Sequence, residues 1–378
     1  MDFTKLQRPI KILSICLSSS EGGLEYSVVN FADRFRSQNI ESIVLCYEGT
    51  SIAKKAKDKN VQSVTIPKGS LLLSFLRIRK LLKFYGPDIV VCHRSFGVKM
   101  SVLQKVLGFS YRIISISHSL IRYPKKDIIH RFFYRHVDSV IAFTEVHRQN
   151  LLEYLPVTPL QVQVVPHFVD TLHFRPPDGW LEKTQLKKDF GYQESDFIFG
   201  CVGRFDPQKG QIELIHAAKI LQSEGHIFKL LFVGKDTFGE EGYKAQCEKL
   251  VQDLGLNHFV QFREHMSNVA KIYRAMDVFV MPSYEETFGL VLLEAMASGC
   301  ICISTLAGGP MEILEYGNSG ILVEPKSSLA LAQAMRQVLS SSGTNEQFRV
   351  KVQKLAQEKY SRSTFDQAME KLMRQKIS

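Results

Sequence analysis

The chain has 378 residues, of which 45% are hydrophobic, 10% aromatic and 23% charged. This composition is ordinary for globular proteins and excludes the disordered, collagen-like and disulfide-scaffold classes. The length suffices for two domains of roughly 100–200 residues each. No uncharged apolar run approaches the roughly 18 residues that a membrane-spanning helix needs.

The positive charge is concentrated in the first half of the chain. Residues 1–175 contain 25 Lys and Arg against 13 Asp and Glu, while residues 176–378 contain 23 against 25. The net charge of +10 therefore comes from the first half, where the segment 112–135 carries six Lys and Arg against one Asp. Such a patch suits anionic lipid, nucleic acid or a phosphorylated acceptor, and a merely solvated basic face fits it equally well.

Short apolar runs alternate with helix-periodic stretches from the start of the chain. The run at 10–17 is short and is followed by Ser-Ser-Ser-Glu-Gly-Gly, so it predicts a first strand and not a secretory signal. Further strands are predicted at 42–46, 88–92, 112–117, 139–143 and 161–166. Strands separated by helical spacing predict parallel sheets with helices on both faces.

The alternation is interrupted between residues 170 and 196, where prolines, a glycine and the only tryptophan predict a linker. Strands are then predicted at 197–203, 229–234, 258–262, 278–282, 300–304 and 320–323. We therefore predict an α/β protein with two doubly wound Rossmann-like domains that face a cleft. The expected domains are 1–172 and 173–360, followed by a terminal helix, 361–378, that returns to the first domain.

The seven cysteines lie mostly in apolar strand-like runs, and none shows paired metal-ligand spacing. This usage predicts reduced, buried thiols in a cytoplasmic protein.

A glycine-containing loop follows the first predicted strand. Gly22 and Gly23 stand directly before a helix, where glycine lets a ligand approach the backbone and the helix presents free N–H groups to an anion. The spacing is not that of a dinucleotide-binding loop, and a plain tight turn fits it as well.

A second loop, 203–210, has the sequence Gly-Arg-Phe-Asp-Pro-Gln-Lys-Gly and follows a predicted strand. Arg204 and Lys209 place two cations where open α/β sheets bind ligands, which suits a diphosphate. The order of residues is not that of a P-loop, and two basic residues on a loop are usually only solvated.

The segment 282–299 is the most informative one. Glu286 lies in the loop that follows a strand, and Glu294 lies inside a helix that is apolar on nearly every face. A buried carboxylate needs partners, and the hydroxyls of a ribose would supply them. The start of the same helix, at Phe288, Gly289 and Leu290, would turn free N–H groups toward phosphate or sugar.

These motifs together resemble the retaining glycosyltransferases of family four, which have the GT-B fold. The resemblance rests on the two carboxylates at 286 and 294, the loop 203–210, the Gly-Gly-Pro-Met-Glu segment at 308–312 and weaker matches at 21–25 and 164–170. It spans residues 10 to about 340. His167 and Phe168 depart from it, because the family commonly has Asn-Gly there.

The resemblance implies a role for each matching residue. Arg204 and Lys209 would bind the diphosphate of a nucleotide sugar, Glu294 the ribose, and Glu286 the transferred sugar. The backbone at Phe288, Gly289 and Leu290 would contact sugar and phosphate, Gly22 and Gly23 would face the diphosphate, and Arg263 would lie near the base. His118 would be the histidine at the reacting centre, and His93 is a weaker candidate.

The expected activity is transfer of a sugar to an acceptor hydroxyl with retention of anomeric configuration, in bacterial cell-surface glycan or lipopolysaccharide-core synthesis. The first domain would hold the glycan or glycolipid acceptor and the second the donor, without a metal or other cofactor. The enzyme is expected in the cytoplasm, at an anionic membrane surface, and not on nucleic acid. The alternatives are an epimerase or phosphorylase of the same fold, or a non-catalytic sugar-nucleotide-binding scaffold.

Overall fold

A computed structural model describes residues 8–19, 23–36, 40–237, 241–264, 266, 268–341 and 345–374. The chain divides into two compact units. The first comprises Met1–Val165 together with Asp366–Ser378, and the second comprises Pro166–Phe365. Within the described residues, no helix is long and apolar enough to cross a membrane.

The first unit is built on a seven-stranded parallel sheet of order β3-β2-β1-β4-β5-β6-β7. Its strands are β1 (Ile10–Cys16), β2 (Ile40–Tyr47), β3 (Ser63–Ile66), β4 (Ile89–Cys92), β5 (Arg112–Ile116), β6 (Ser139–Ala142) and β7 (Val162–Val164). Its helices are α1 (Gly23–Arg36), α2 (Ser51–Asp58), α3 (Leu71–Tyr85), α4 (Ser95–Val106), α5 (Ile128–Tyr134) and α6 (Glu145–Tyr154). The central strands are buried on both faces, as a parallel sheet between two helical layers requires.

The second unit contains a six-stranded parallel sheet of order β10-β9-β8-β11-β12-β13. Its strands are β8 (Ile198–Val202), β9 (Lys229–Val233), β10 (Val260–Arg263), β11 (Val278–Met281), β12 (Ile301–Thr305) and β13 (Ile321–Val323). Its helices are α7 (Trp180–Asp189), α8 (Gln211–Ser223), α9 (Tyr243–Asp253), α10 (Ala270–Ala275), α11 (Leu290–Ala297), α12 (Gly309–Ile313), α13 (Ser328–Ser340) and α14 (Asn345–Lys359). In both sheets the order reverses beside the first strand, which is the doubly wound pattern.

Twelve of the thirteen strands overlap a predicted strand, and β3 is the exception. It has four residues at the edge of its sheet, and only Ile66 is buried. Its apolar content is therefore too small for a pattern search to detect.

The predicted linker contains the helix α7, which the sequence prediction missed. The inner side of α7 is held by ion pairs: Lys183 Nζ lies 2.5 Å and Lys187 Nζ 3.3 Å from the carboxylate of buried Asp277. Arg349 approaches the same carboxylate at 3.6 Å. Burial by itself would raise the pKa of Asp277, but Lys183, Lys187 and the Ile198 N–H hold the pKa below its ordinary value. Because α7 is held mainly by ion pairs, it has no apolar stripe that a search for helical periodicity could detect.

The terminal helix α15 (Arg362–Arg374) confirms the prediction of a return to the first unit. Asp366 pairs with Arg34 of α1, and Leu372 and Met373 are buried. Arg112, which the sequence places in the basic patch, is itself buried and donates a hydrogen bond of 3.0 Å to the Met373 carbonyl. It therefore cannot belong to an exposed basic surface.

Candidate active site

The loop after β8 is shaped by a capped turn and a close backbone contact. The Asp206 carboxylate accepts a hydrogen bond of 2.9 Å from the Gln208 N–H and so caps the turn Pro207–Lys209. Gly210 follows with φ +67°, and a Cβ there would lie 2.1 Å from the Pro282 carbonyl oxygen. Only glycine satisfies both conditions, and it allows the loop after β8 to touch the loop after β11.

This contact brings together two residues that lie 77 positions apart in the sequence. Lys209 Nζ lies 2.6 Å from Glu286 Oε2, and both side chains are partly exposed. The backbone of Glu286 is held on the other side, since its N–H donates to Ala307 and its carbonyl accepts from Gly309. Arg204 is exposed on the same loop as Lys209. The site thus presents two cations and one carboxylate at the carboxyl edge of the sheet, where ligands bind in this fold class.

Glu294 differs from Glu286 because no cation pairs with it among the described residues. Among the described residues its hydrogen-bond partner is the Tyr273 hydroxyl, which donates to Glu294 Oε2 over 2.9 Å. Desolvation raises the pKa of Glu294 to about 7, and the Tyr273 hydrogen bond opposes the shift. A carboxylate held in this way gains from further hydroxyl donors, as a ribose would provide.

The helix α11 begins beside these carboxylates. Gly289 precedes it with φ +101°, so the chain turns sharply before Leu290, and the first N–H groups of the helix lack intrahelical acceptors. Phe288 is buried, with its ring 5.2 Å from that of His167 in an edge-to-face contact. The ring therefore anchors the loop by packing. His167 acts as packing for that loop, in place of the Asn-Gly that the family commonly has.

Arg263 ends β10, but its side chain is engaged with the end of α7. Its guanidinium donates a hydrogen bond of 2.8 Å to the Phe190 carbonyl and lies 5.2 Å from the centre of the Phe190 ring. This contact gives the side chain a structural role. A role of Arg263 near the base stays a prediction. Because the side chain is engaged with Phe190, the backbone of Arg263 is the part that we expect to contact the base.

In the first unit, His118 follows β5 and lies against His93, which follows β4. His93 Nδ1 and His118 Nε2 are 3.1 Å apart, so one ring donates a hydrogen bond to the other. Burial lowers the pKa of His93 to about 3, which keeps this ring neutral. His93 Nε2 is buried and has no hydrogen-bond partner among the described residues. His147, whose pKa burial lowers to about 4, bonds to Ser117 over 3.2 Å, and the Phe143 ring packs against both His118 and His147.

Of the glycine loop, Gly23 is the first residue of α1, whereas Gly22 lies outside the described residues. The residues that the sequence did not single out are Tyr273 and Gly210. Tyr273 sits in a six-residue helix and carries no motif, and only its contact with Glu294 reveals it. Gly210 belongs to the loop 203–210 that the sequence identified. The need for glycine at this position comes from the Pro282 carbonyl, 72 residues away in the sequence.

The chain thus has two parallel, doubly wound units, and the second carries a basic loop and two carboxylates at the carboxyl edge of its sheet. A family model described as glycosyl transferases group 1 matches residues 182–355, and one described as glycosyltransferase family 4 matches residues 21–172. Between them they account for most of the chain. The chain belongs to the family-four, group 1 glycosyltransferases.

Known proteins of several kinds are similar to this chain. An uncharacterized glycosyltransferase of Methanocaldococcus jannaschii is 34% identical over 59% of this chain and 56% of its own length. A lipopolysaccharide core biosynthesis mannosyltransferase of Rhizobium meliloti is 28% identical over 69% and 74%. An Anabaena protein solved in complex with UDP superimposes with a TM-score of 0.86, at 19% identity over 96% and 99%. The match spans about half the length of several curated relatives. The structural likeness confirms the predicted GT-B fold class.

Proposed function

We propose that this protein transfers a sugar from a nucleotide-diphosphate sugar to an acceptor hydroxyl, with retention at the anomeric carbon. The observation that carries the proposal is the Lys209–Glu286 pair beside Arg204, at the carboxyl edge of the second sheet. In the transfer, the bond between the anomeric carbon and the diphosphate breaks and the acceptor oxygen bonds to that carbon. The diphosphate keeps the electron pair, and its leaving oxygen takes the proton of the acceptor hydroxyl. The reaction therefore needs positive charge at the leaving oxygens.

Each residue of the site has a place in this scheme. Arg204 and Lys209 bind the diphosphate, and the open N-terminus of α11 at Leu290 adds N–H donors. Glu286 lies against the sugar and holds Lys209 in position. Glu294 accepts from the ribose hydroxyls. Because these groups supply the stabilisation of the leaving diphosphate, we propose that the reaction needs no metal, and activity in excess EDTA would test this.

His118 is proposed to contact the sugar at the reacting carbon, as in the family. Neutral His93 bonds to it and fixes its orientation, since the hydrogen bond at one ring nitrogen determines which nitrogen carries the proton. The acceptor is proposed to be a glycan or glycolipid of cell-surface or lipopolysaccharide-core type. The mannosyltransferase of Rhizobium meliloti and the position of the excess positive charge support this class. The enzyme would then work in the cytoplasm, at the inner face of the membrane.

The test is thermal denaturation in the presence of UDP, GDP, ADP and CMP and their common sugar conjugates. A ligand that binds only the folded state at about a hundred times its Kd stabilises it by about 2.7 kcal/mol. We expect a clear rise in Tm with one nucleoside diphosphate and a distinctly smaller rise in the Lys209→Ala variant. Folded protein that responds to none of these ligands would contradict the proposal.

A further inference from the structure

The helix α3 has an apolar inner side and an unusual outer side. Ser74, Ile78 and Leu82 are buried against the first sheet. The outer side nevertheless carries large apolar residues: Leu72 is 66% exposed and Leu76 is 50% exposed. Because residues four apart in a helix lie on one face, these two leucines form a continuous apolar strip.

The same outer side is strongly basic. Lys80 and Lys83 are exposed on α3, and no Asp or Glu occurs between Asp58 and Asp88. Arg77 and Arg79 add charge, although they also donate hydrogen bonds to Pro67 and Gln104. An exposed helix face that mixes leucine with lysine and lacks acids matches the helices that lie in the headgroup region of a bilayer.

The basic segment 112–135 is a weaker candidate for such a surface. Arg112 is buried, the Arg131 guanidinium donates to the Lys126 carbonyl, and Asp127 lies in the middle of the segment. Some of the basic side chains in this segment are therefore engaged in internal contacts. By contrast, Lys80 and Lys83 have no ion-pair partner among the described residues.

The position of α3 suits a lipid-linked acceptor. The helix begins five residues after the carboxyl end of β3, and His118 follows the carboxyl end of β5. The strands of this sheet are parallel, so both lie toward the same edge. A lipid surface at the start of α3 would therefore lie at the edge that carries His118.

We propose that the outer face of α3, defined by Leu72, Leu76, Lys80 and Lys83, docks on an anionic lipid bilayer. This inference rests on the proposed transferase function for its purpose, and deepens it by naming the surface. Charge complementarity selects the occupant. Two copies of this cationic face would repel each other, whereas anionic headgroups attract the lysines and the acyl region accepts the leucines.

The test is sedimentation of the full chain with vesicles of phosphatidylglycerol and phosphatidylcholine, compared with vesicles of phosphatidylcholine alone, at low and high salt. We expect binding to the anionic vesicles that weakens at high salt. Lys80→Gln with Lys83→Gln should weaken binding by about tenfold or more at low salt, since each lysine near a bilayer contributes appreciably. Leu72→Gln with Leu76→Gln should weaken it also at high salt, because it removes only apolar burial.

Two matched variants serve as controls. Lys125→Gln with Lys126→Gln removes the same charge from the segment 112–135, and Ile227→Gln removes an exposed apolar residue from the second unit. Both should bind vesicles as the wild type does. Loss of binding in the lysine control with normal binding in the α3 variants would overturn the proposal, as would wild type that ignores anionic vesicles. Wild type that instead forms a dimer, which the α3 variants do not, would also overturn it.

A measurement of nucleotide binding distinguishes a failure of the docking surface from a failure of the proposed transferase function. The α3 variants should keep the wild-type rise in Tm with the donor nucleotide. A protein that binds the nucleotide but no vesicles refutes the docking surface alone, and a protein that binds vesicles but no nucleotide refutes the transferase alone.

Discussion

The two ends of the strand β11 carry carboxylates in opposite situations. At the amino end, buried Asp277 is surrounded by Lys183, Lys187 and Arg349, and its pKa lies below the ordinary value. Beyond the carboxyl end, the partner of Glu294 among the described residues is a tyrosine hydroxyl, and burial raises the pKa of this carboxyl to about 7. A carboxylate that the fold has fully paired stabilises the fold. A carboxylate that has few hydrogen-bond donors around it in the fold can accept further hydrogen bonds from a ligand.

The largest expected effect is at the paired end. Asp277→Ala removes the carboxylate partner of half-buried Lys183 and of buried Lys187, and we expect it to lower the free energy of unfolding by about 3–5 kcal/mol. Because the folded-state pKa of Asp277 is depressed, its contribution exists above the unfolded pKa and disappears as the pH falls through the folded one. Urea unfolding of wild type and variant should therefore differ at neutral pH and converge in acid.

The matched control is Asp253→Ala, an exposed aspartate on α9 with no ion pair among the described residues. It should change the free energy of unfolding little. Equal stability of the Asp277 and Asp253 variants would show that the ion pairs around α7 contribute nothing, and the contrast between the two ends of β11 would fail.

At the carboxyl end, Lys209→Ala should affect binding and not stability. Charge-assisted hydrogen bonds contribute about 1.5–3 kcal/mol each, so donor affinity and turnover should fall by one to two orders of magnitude. Lys271→Ala, on the exposed side of α10, is the control. Kinetics like those of the wild type in the Lys209 variant would remove its phosphate assignment.

Glu294→Gln should separate the ligand role of this residue from its effect on the fold. The raised pKa means that protonated Glu294 stabilises the folded state, and that this contribution is lost between about pH 4.5 and 7 as the pH rises. The variant should lack this pH dependence and match or exceed the wild-type stability at pH 8, by about 1–3 kcal/mol. Its affinity for the free nucleoside diphosphate should nevertheless fall, as isothermal calorimetry would measure. Unchanged affinity would count against the ribose role.

The smallest effect is expected at Arg263. Since its side chain bonds to the Phe190 carbonyl and ring, Arg263→Met should cost about 1 kcal/mol of stability. Nucleotide affinity should stay within about twofold, because backbone groups serve the base there. A large loss of affinity in this variant would instead assign the guanidinium to the donor.

The sequence already contained most of the fold and the donor loops. Buried strands such as β4 and β11 are continuous apolar runs, so the local sequence is enough to locate them. Arg204, Lys209, Glu286 and Glu294 stand out because charges at strand ends, or inside an apolar helix, are costly unless used. The exposed edge strand β3 and the charge-anchored helix α7 escaped prediction, since neither carries an apolar pattern of its own.

What the sequence by itself determined was the identity and order of these groups: two α/β units, and which loop carries each charge. Only the tertiary structure decided which groups meet. It brought three pairs of side chains into contact, each separated by 20 or more positions in the sequence. These pairs are Lys209 with Glu286, Tyr273 with Glu294, and His93 with His118. It also buried Arg112 and exposed Leu72 and Leu76. The reason is physical: local patterns fix backbone conformation, whereas burial and pairing depend on atoms that folding alone brings together.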